Sequence, residues 1–323
     1  STCFFYFACI LSLLANRIDP IFNAYNRLFL FIILTLLVGP LMVSNRLKEF
    51  RFLLFFYIME INVILSGFSS ILSLLGIHSG NAYDYINDQY RPDFAGLYNH
   101  SMTLGPMSGI AFLYCLNKYF EDNRFKIYYI FFGLFSVLSC LMAGSRVGLF
   151  ALIFSLIVYI YMINKGKLHK FILVLFILSI LLIVLFPLYQ SSADFLISKF
   201  VYGQERGSLT VSRDEKWSAR LTEFFSSPLW GIGYGTVDSQ IDKVGENGVI
   251  EPGSSWLSLL SMTGLIGFSS IFILYLKSIL GFLNFKESYS YYFLFSTLIL
   301  SCIYMIAEGA FLAAGNFMCL LSW

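Results

Sequence analysis

Charge is what this chain has least of. Only 12% of its 323 residues are Asp, Glu, Lys or Arg, about half the roughly 25% of a soluble globular protein. Histidine is rarer still, with His78, His100 and His169 alone. Six cysteines are present but none forms a Cys-x-x-Cys pair, so neither a zinc site nor a disulfide framework is indicated. No Gly-Lys-Ser/Thr closes a glycine-rich stretch, which excludes a P-loop. Internal repeats are absent as well. The opening STCFFYFACILSLLA lacks both a Met and a charged n-region, so it does not read as a signal peptide. It reads as a helix entered partway, with the native N-terminus expected to lie upstream.

What fills the chain instead is apolar. Hydrophobic residues make up 58% and aromatics 19%, and the mean hydropathy is +0.75. Repeated runs of about 20 apolar residues mark a polytopic helical membrane protein; a β-barrel would show short alternating segments. We therefore expect an all-α integral membrane fold of about ten or more transmembrane helices. The spans fall at 2–15, 28–44, 51–76, 102–117, 126–143, 147–163, 169–188, 254–276, 289–307 and 310–323. Three regions follow: N-terminal transmembrane helices at 1–188, a large loop with an amphipathic helix at 189–253, and C-terminal transmembrane helices at 254–323.

The connections alternate in character. NRLKEFR (45–51), NKYFEDNRFK (117–126), NKGKLHK (164–170) and KSILGFLNFKE (277–287) are short and basic. The opposite set includes HSGNAYDYINDQYRPDF (78–94), with three Asp against one Arg, and the long acidic segment 189–253. The positive-inside rule places the basic set in the cytoplasm and the acidic set outside. Arginines nevertheless occur on the outer side: Arg17, Arg27, Arg91, Arg146, Arg206, Arg213 and Arg220. Arg146 interrupts the apolar CLMAGSRVGLFALIF, where a charge at a helix centre would cost roughly 2.5–3.5 kcal/mol. It is either a functional cation or a snorkelling side chain at the headgroups.

Within the outer segment, SLTVSRDEKWSARLTEFFSS (208–227) carries Trp217, Leu221, Phe224 and Phe225 at helical spacing and predicts an amphipathic helix against the membrane interface. PLWGIGYGTVD (228–238) follows as a glycine-rich turn suited to close backbone approach.

Four strings in fixed order resemble the O-antigen polymerase/ligase superfamily, covering the chain from about residue 90 to 268. They are DFAGLYNHSMTLGPMSGIAFLYCL (93–116), LMAGSRVGLFALI, SRDEKWSARLTEFFSSPLWGIGYG and SSWLSLLSMTGLIGF (254–268). The second is similar to the family's Thr-Gly-Ser-Arg helix-end signature. The third is similar to its outer-loop Arg-x-x-x-Trp and Pro-Leu-Trp-Gly element, which Arg213 fits, and to the polymerases' Arg-x10-Gly pattern, which Arg220 fits with Gly231. The fourth departs from the ligase pattern, because Gly253 stands where ligases carry a His. The departure favours a Wzy-type polymerase over a ligase.

The resemblance implies a GT-C-like glycosyltransferase of the bacterial cytoplasmic membrane whose active site faces outward. Donor and acceptor would both be glycans on undecaprenyl diphosphate. A chain-length regulator, a flippase and the lipid bilayer would be partners, with no nucleic acid and no cofactor. The leaving group is a lipid diphosphate, which arginine suits by its permanent charge and planar fork. No Asp-x-Asp pair stands in the outer loops beyond the solvated YDYIND, so a metal-independent site is expected, with Arg146 and Arg213 or Arg220 on the diphosphate. His100 and Glu308 are the candidate bases, His100 alternatively a helix cap and Glu308 alternatively an arginine partner. Arg91, Asn99, Trp217, Gly231 and Gly233 are candidate substrate contacts. Glu60 reads as structural. A ligase, or a transporter or flippase of a lipid-linked anion, is the competing reading.

Overall fold

A computed structural model of the protein describes residues 2–15, 23–38, 45–77, 80–84, 89–122, 124–164, 167–205, 207, 211–241, 252–283, 288–313 and 316–323. The described residues form helices α1 (Thr2–Leu14), α2 (Ala24–Val38), α3 (Asn45–Leu74), α4 (Ser101–Glu121), α5 (Lys126–Met142), α6 (Arg146–Ile163), α7 (Leu168–Glu205), α8 (Val211–Ser226), α9 (Ser255–Leu283), α10 (Tyr289–Ala307) and α11 (Phe317–Ser322). One antiparallel hairpin joins β1 (Gly80–Asp84) to β2 (Gln89–Asp93), with Tyr83 opposite Tyr90.

Four helical segments are long and apolar enough to cross a bilayer, by length and composition: Glu49–Leu74, Arg146–Ile163, Ser255–Phe282 and Tyr289–Ala307. Thr2–Leu14, Ala24–Leu37 and Lys126–Met142 are apolar but shorter. The last expected span, 310–323, is corrected. Its described part holds only the six-residue α11, started by an Asn316 side chain that accepts from the Met318 N–H. The boundary expected at 188–189 falls inside α7, at a kink where Tyr189 takes φ −122° and ψ 15°. Pro187, which cannot supply an N–H to the helix, stands two residues before it.

Beside an apolar core that includes Phe5, Leu104, Met107 and Ile110, burial departs from that of a soluble protein at polar and outward-facing positions. Asn62, Ser66, Ser69, Ser70, Ser108 and Ser139 are fully buried, while Ile127, Ile183, Phe176 and Phe225 stand exposed. A bundle solvated by hydrocarbon gains nothing by hiding its large apolar side chains, and its polar side chains find partners only inside.

The chain divides into two units. Unit 2 comprises Leu53–Leu209 and Phe285–Tyr304 and is built on the packing of α4 against α5 and α6. Pro106 interrupts α4 and leaves the Met102 carbonyl without its helical donor. The Tyr304 hydroxyl replaces it at 2.7 Å. Glu60 accepts from the Tyr114 and Tyr129 hydroxyls, both at 2.9 Å, which fits its structural reading.

Unit 1 comprises Ser1–Phe52, Thr210–Asn284 and Met305–Trp323. Its α9 is broken at Gly264, whose φ of 62° and ψ of −168° are not helical. The segment 228–233 fills the break. Ile232 and Gly233 N–H donate to the Ser261 and Met262 carbonyls (2.8 and 3.1 Å). In return Leu265 and Ile266 N–H donate to the Pro228 and Leu229 carbonyls (2.9 and 3.4 Å). Every backbone group named here that the break releases is thus satisfied, as a low-dielectric setting demands. Glycine is required on both sides of this joint. A Cβ on Gly264 would stand 2.2 Å from the Leu229 oxygen, and one on Gly231 would stand 2.4 Å from the Met262 carbonyl carbon.

Candidate functional site

The two units each carry part of the expected site residues. In unit 2, α5 ends at Met142 and Gly144 turns the chain with φ +61°. Ser145 then caps α6 by accepting from the Gly148 N–H (3.2 Å), and Arg146 is the first residue of the helix. Ser145 seats directly on α4, 3.0 Å from where a Gly105 Cβ would lie. Arg146 is half-buried, and its guanidinium carbon lies 5.4 Å from the centre of the Phe200 ring on α7. A cation at a helix N-terminus opposes the macrodipole, at a cost of about 0.3–1 kcal/mol, whereas an anion there is favoured. The local arrangement sums two positive features, the guanidinium and the positive end of α6.

The same end of unit 2 is tied together by polar contacts. The Leu97 N–H donates to Ser69 Oγ (3.0 Å), the Tyr98 hydroxyl to Asn62 Oδ1 (2.5 Å) and the Ser192 hydroxyl to the Met142 carbonyl (2.9 Å). His100 sits in the resulting turn as the N-cap of α4, its Nδ1 accepting from the Met102 N–H at 3.1 Å. This is the capping role weighed against that of a base. Asn99 is exposed beside it. Arg91 lies in β2, and its side chain is outside the described residues, as are Arg17 and Arg206.

In unit 1, α8 forms over the range its spacing predicts and packs against α9. Its orientation is a surprise: Arg220 and Glu223 are fully buried, while Leu221 and Phe225 face out. Arg220 Nη1 pairs with Glu223 Oε2 at 3.0 Å, and the second Glu223 oxygen accepts from the Asp238 N–H at 2.9 Å. The pair therefore ties α8 to the chain beyond the glycine-rich turn. Glu223 was not among the expected site residues, although its i,i+3 spacing from Arg220 is an ion-pair signal.

Arg213 lies two turns before Arg220 on the same face, since seven residues nearly complete two helical turns. It meets a different carboxylate: Arg213 Nη2 and Glu308 Oε1 are 2.6 Å apart, with side chains 12% and 11% exposed. Glu308 follows the last residue of α10 and is anchored through its backbone. The Ser255 N–H and hydroxyl both donate to its carbonyl (2.9 and 2.6 Å), and the Phe311 N–H donates to the same Ser255 oxygen (3.2 Å). Ser254 caps α9 beside it, accepting from the Leu257 N–H at 3.3 Å. Ser255 escaped notice in the sequence because a serine before an apolar run signals only a helix start.

The remaining expected contacts hold protein. The Trp217 indole N–H donates to the Gly253 carbonyl at 3.1 Å. Gly231 and Gly233 serve the joint with α9. Gly253 has φ +71°, and a Cβ there would stand 2.7 Å from the Lys216 Cβ. The position where a ligase-type histidine is expected is thus closed to a side chain, both by its backbone conformation and by the α8 wall.

A family model described as O-Antigen ligase matches residues 131–272, from α5 into α9. No curated protein and no solved structure matches the chain.

Proposed function

We propose, from the match of residues 131–272 to the O-antigen ligase family model, that the chain is a Wzy-type polymerase of the O-antigen ligase/polymerase superfamily. It joins undecaprenyl-diphosphate-linked oligosaccharide repeat units at the outer face of the bacterial cytoplasmic membrane. The fold would be a GT-C-like one of about ten spans, and by the charge of the connecting loops each of Arg146, Arg213 and Glu308 would lie on the outer side. The observation that carries polymerase over ligase is position 253, where the left-handed backbone and the approach of Lys216 leave no place for a histidine.

In the reaction, the acceptor hydroxyl oxygen bonds to the anomeric carbon of the donor glycan. The bond from that carbon to the diphosphate oxygen breaks, and lipid diphosphate leaves with the electron pair. The acceptor proton passes to a base. Negative charge grows on the leaving oxygen, so pre-placed guanidinium groups lower the barrier without a metal. Arg213 is assigned to the leaving diphosphate in preference to Arg220, whose guanidinium is wholly enclosed with Glu223. Arg146, beside the positive end of α6, is assigned to grip a lipid diphosphate.

The ligase reading draws on the description of the matching family. The two separate in one assay of purified protein with lipid-linked repeat units and lipid A-core. A ladder of lengthening lipid-linked glycans, lost in Arg213→Ala and in Arg146→Ala, is the expected result. Transfer to lipid A-core alone would make the protein a ligase, and movement of intact substrate without new bonds would make it a transporter.

A further inference from the structure

The Arg213–Glu308 pair raises a chemical problem. A carboxylate in a 2.6 Å ion pair accepts a proton poorly, because the guanidinium favours its charged form. An arginine so engaged has part of its donor fork occupied. Each group is held back from the task proposed for it by the other.

A diphosphate resolves both at once. It carries more negative charge than a carboxylate and offers oxygens at the spacing of the guanidinium fork, so it competes for Arg213. The backbone of Glu308 cannot follow Arg213, since the Ser255 N–H and hydroxyl pin its carbonyl. Release therefore moves the Glu308 side chain only, and leaves the carboxylate beside the newly bound anion. A carboxylate next to a like charge holds a proton more readily than one paired with arginine.

Resting on the polymerase reading, we infer that Glu308 is the catalytic base and is kept inactive as the counterion of Arg213 until the donor diphosphate displaces it. Donor binding and base release are one event. The freed carboxylate takes the acceptor hydroxyl proton as the new glycosidic bond forms, and the departing diphosphate keeps the electrons of the broken carbon–oxygen bond. Without donor, the base stays paired, so water is not activated in its place.

The test uses full-length protein in detergent, undecaprenyl diphosphate as the binding probe, and single-turnover transfer with lipid-linked repeat units. Glu308→Gln is expected to bind the probe roughly five-fold more tightly, the scale of a lost partly exposed ion pair, while transfer falls about 100-fold or more. Introducing the same change into Arg213→Gln is expected to leave binding unchanged, because the competition runs through Arg213. Glu308→Asp, which keeps the charge but shortens the reach, is expected to bind more tightly than wild type and retain part of the transfer rate. That variant reports even if Glu308→Gln does not fold. Equal or weaker probe binding by the Gln and Asp variants would overturn the inference and reduce Glu308 to a positioning residue. Tightening that persists in the Arg213→Gln background, or full transfer by Glu308→Gln, would overturn it too. No probe binding by wild type would instead overturn the polymerase reading itself.

Discussion

The arginines separate by what encloses them. Arg220 and Glu223 are fully buried together, and removing one partner of such a pair strands the other charge. Arg220→Ala is expected to lower stability by about 3–5 kcal/mol, read as an earlier thermal unfolding transition of the detergent-solubilised protein. Arg213→Ala is expected to cost less stability than Arg220→Ala, because its pair keeps some exposure, 12% and 11% of the two side chains, and to show its main defect in transfer. Arg146 is held differently, over the Phe200 ring at 5.4 Å. Phe200→Ala is expected to raise KM a few-fold, matching a cation–π contribution of about 0.5–1 kcal/mol, with Phe200→Trp restoring it. The placement of Arg146 at a helix start was legible, because Gly144 and Ser145 before an apolar run are stop and start signals. Phe200 was not, since the sequence contains no cue that brings a residue 54 positions away onto that guanidinium.

In α4 and α9, backbone hydrogen bonds lost within the helix are replaced from elsewhere in the chain. In α4 the repair is a single hydroxyl, from Tyr304 to the Met102 carbonyl that Pro106 left open. Tyr304→Phe is therefore expected to cost about 0.5–1.5 kcal/mol, the net worth of one hydrogen bond. Pro106→Ala supplies an N–H to that carbonyl, so the cost of Tyr304→Phe should shrink in its background. A double-mutant thermal unfolding cycle measures this directly, and equal costs in both backgrounds would contradict the account. In α9 the repair is a segment of backbone. Gly264→Ala would drive a Cβ into the Leu229 carbonyl, an obstacle no rotamer relieves, and is expected to abolish the folded protein as judged by a monodisperse peak on size exclusion. The existence of both helices was legible from apolar length. The break in α9 was not: 254–276 reads as one uninterrupted span, and the glycines of residues 228–235 read as a loop awaiting a ligand. Their hydrogen bonds to α9 depend on a pairing between segments some 30 residues apart, which local spacing cannot encode.

At the scale of the molecule, composition was the dependable guide. Scarce charge and long apolar runs announce a helical bundle in lipid, and the buried serines and exposed phenylalanines are what that solvent selects. Unit 1 gathers three separate stretches of chain and unit 2 two, a grouping that the linear order of the segments does not display. Within unit 1, α8 and the segment after α10 meet at Arg213 and Glu308 although 95 residues separate them. Such a meeting emerges only on folding, which is why the sequence alone left Arg213 and Arg220 undecided. The central claim, that these cations serve the departure of a lipid diphosphate as sugars are joined, is tested most directly by stoichiometry. Purified protein is given lipid-linked repeat units in the presence of a metal chelator, and released undecaprenyl diphosphate is counted against new glycosidic bonds. The account predicts one lipid diphosphate released for each repeat unit joined, undiminished by the chelator and lost in Arg213→Ala. Bond formation that stops when metal is removed, or lipid diphosphate that never appears, would contradict it.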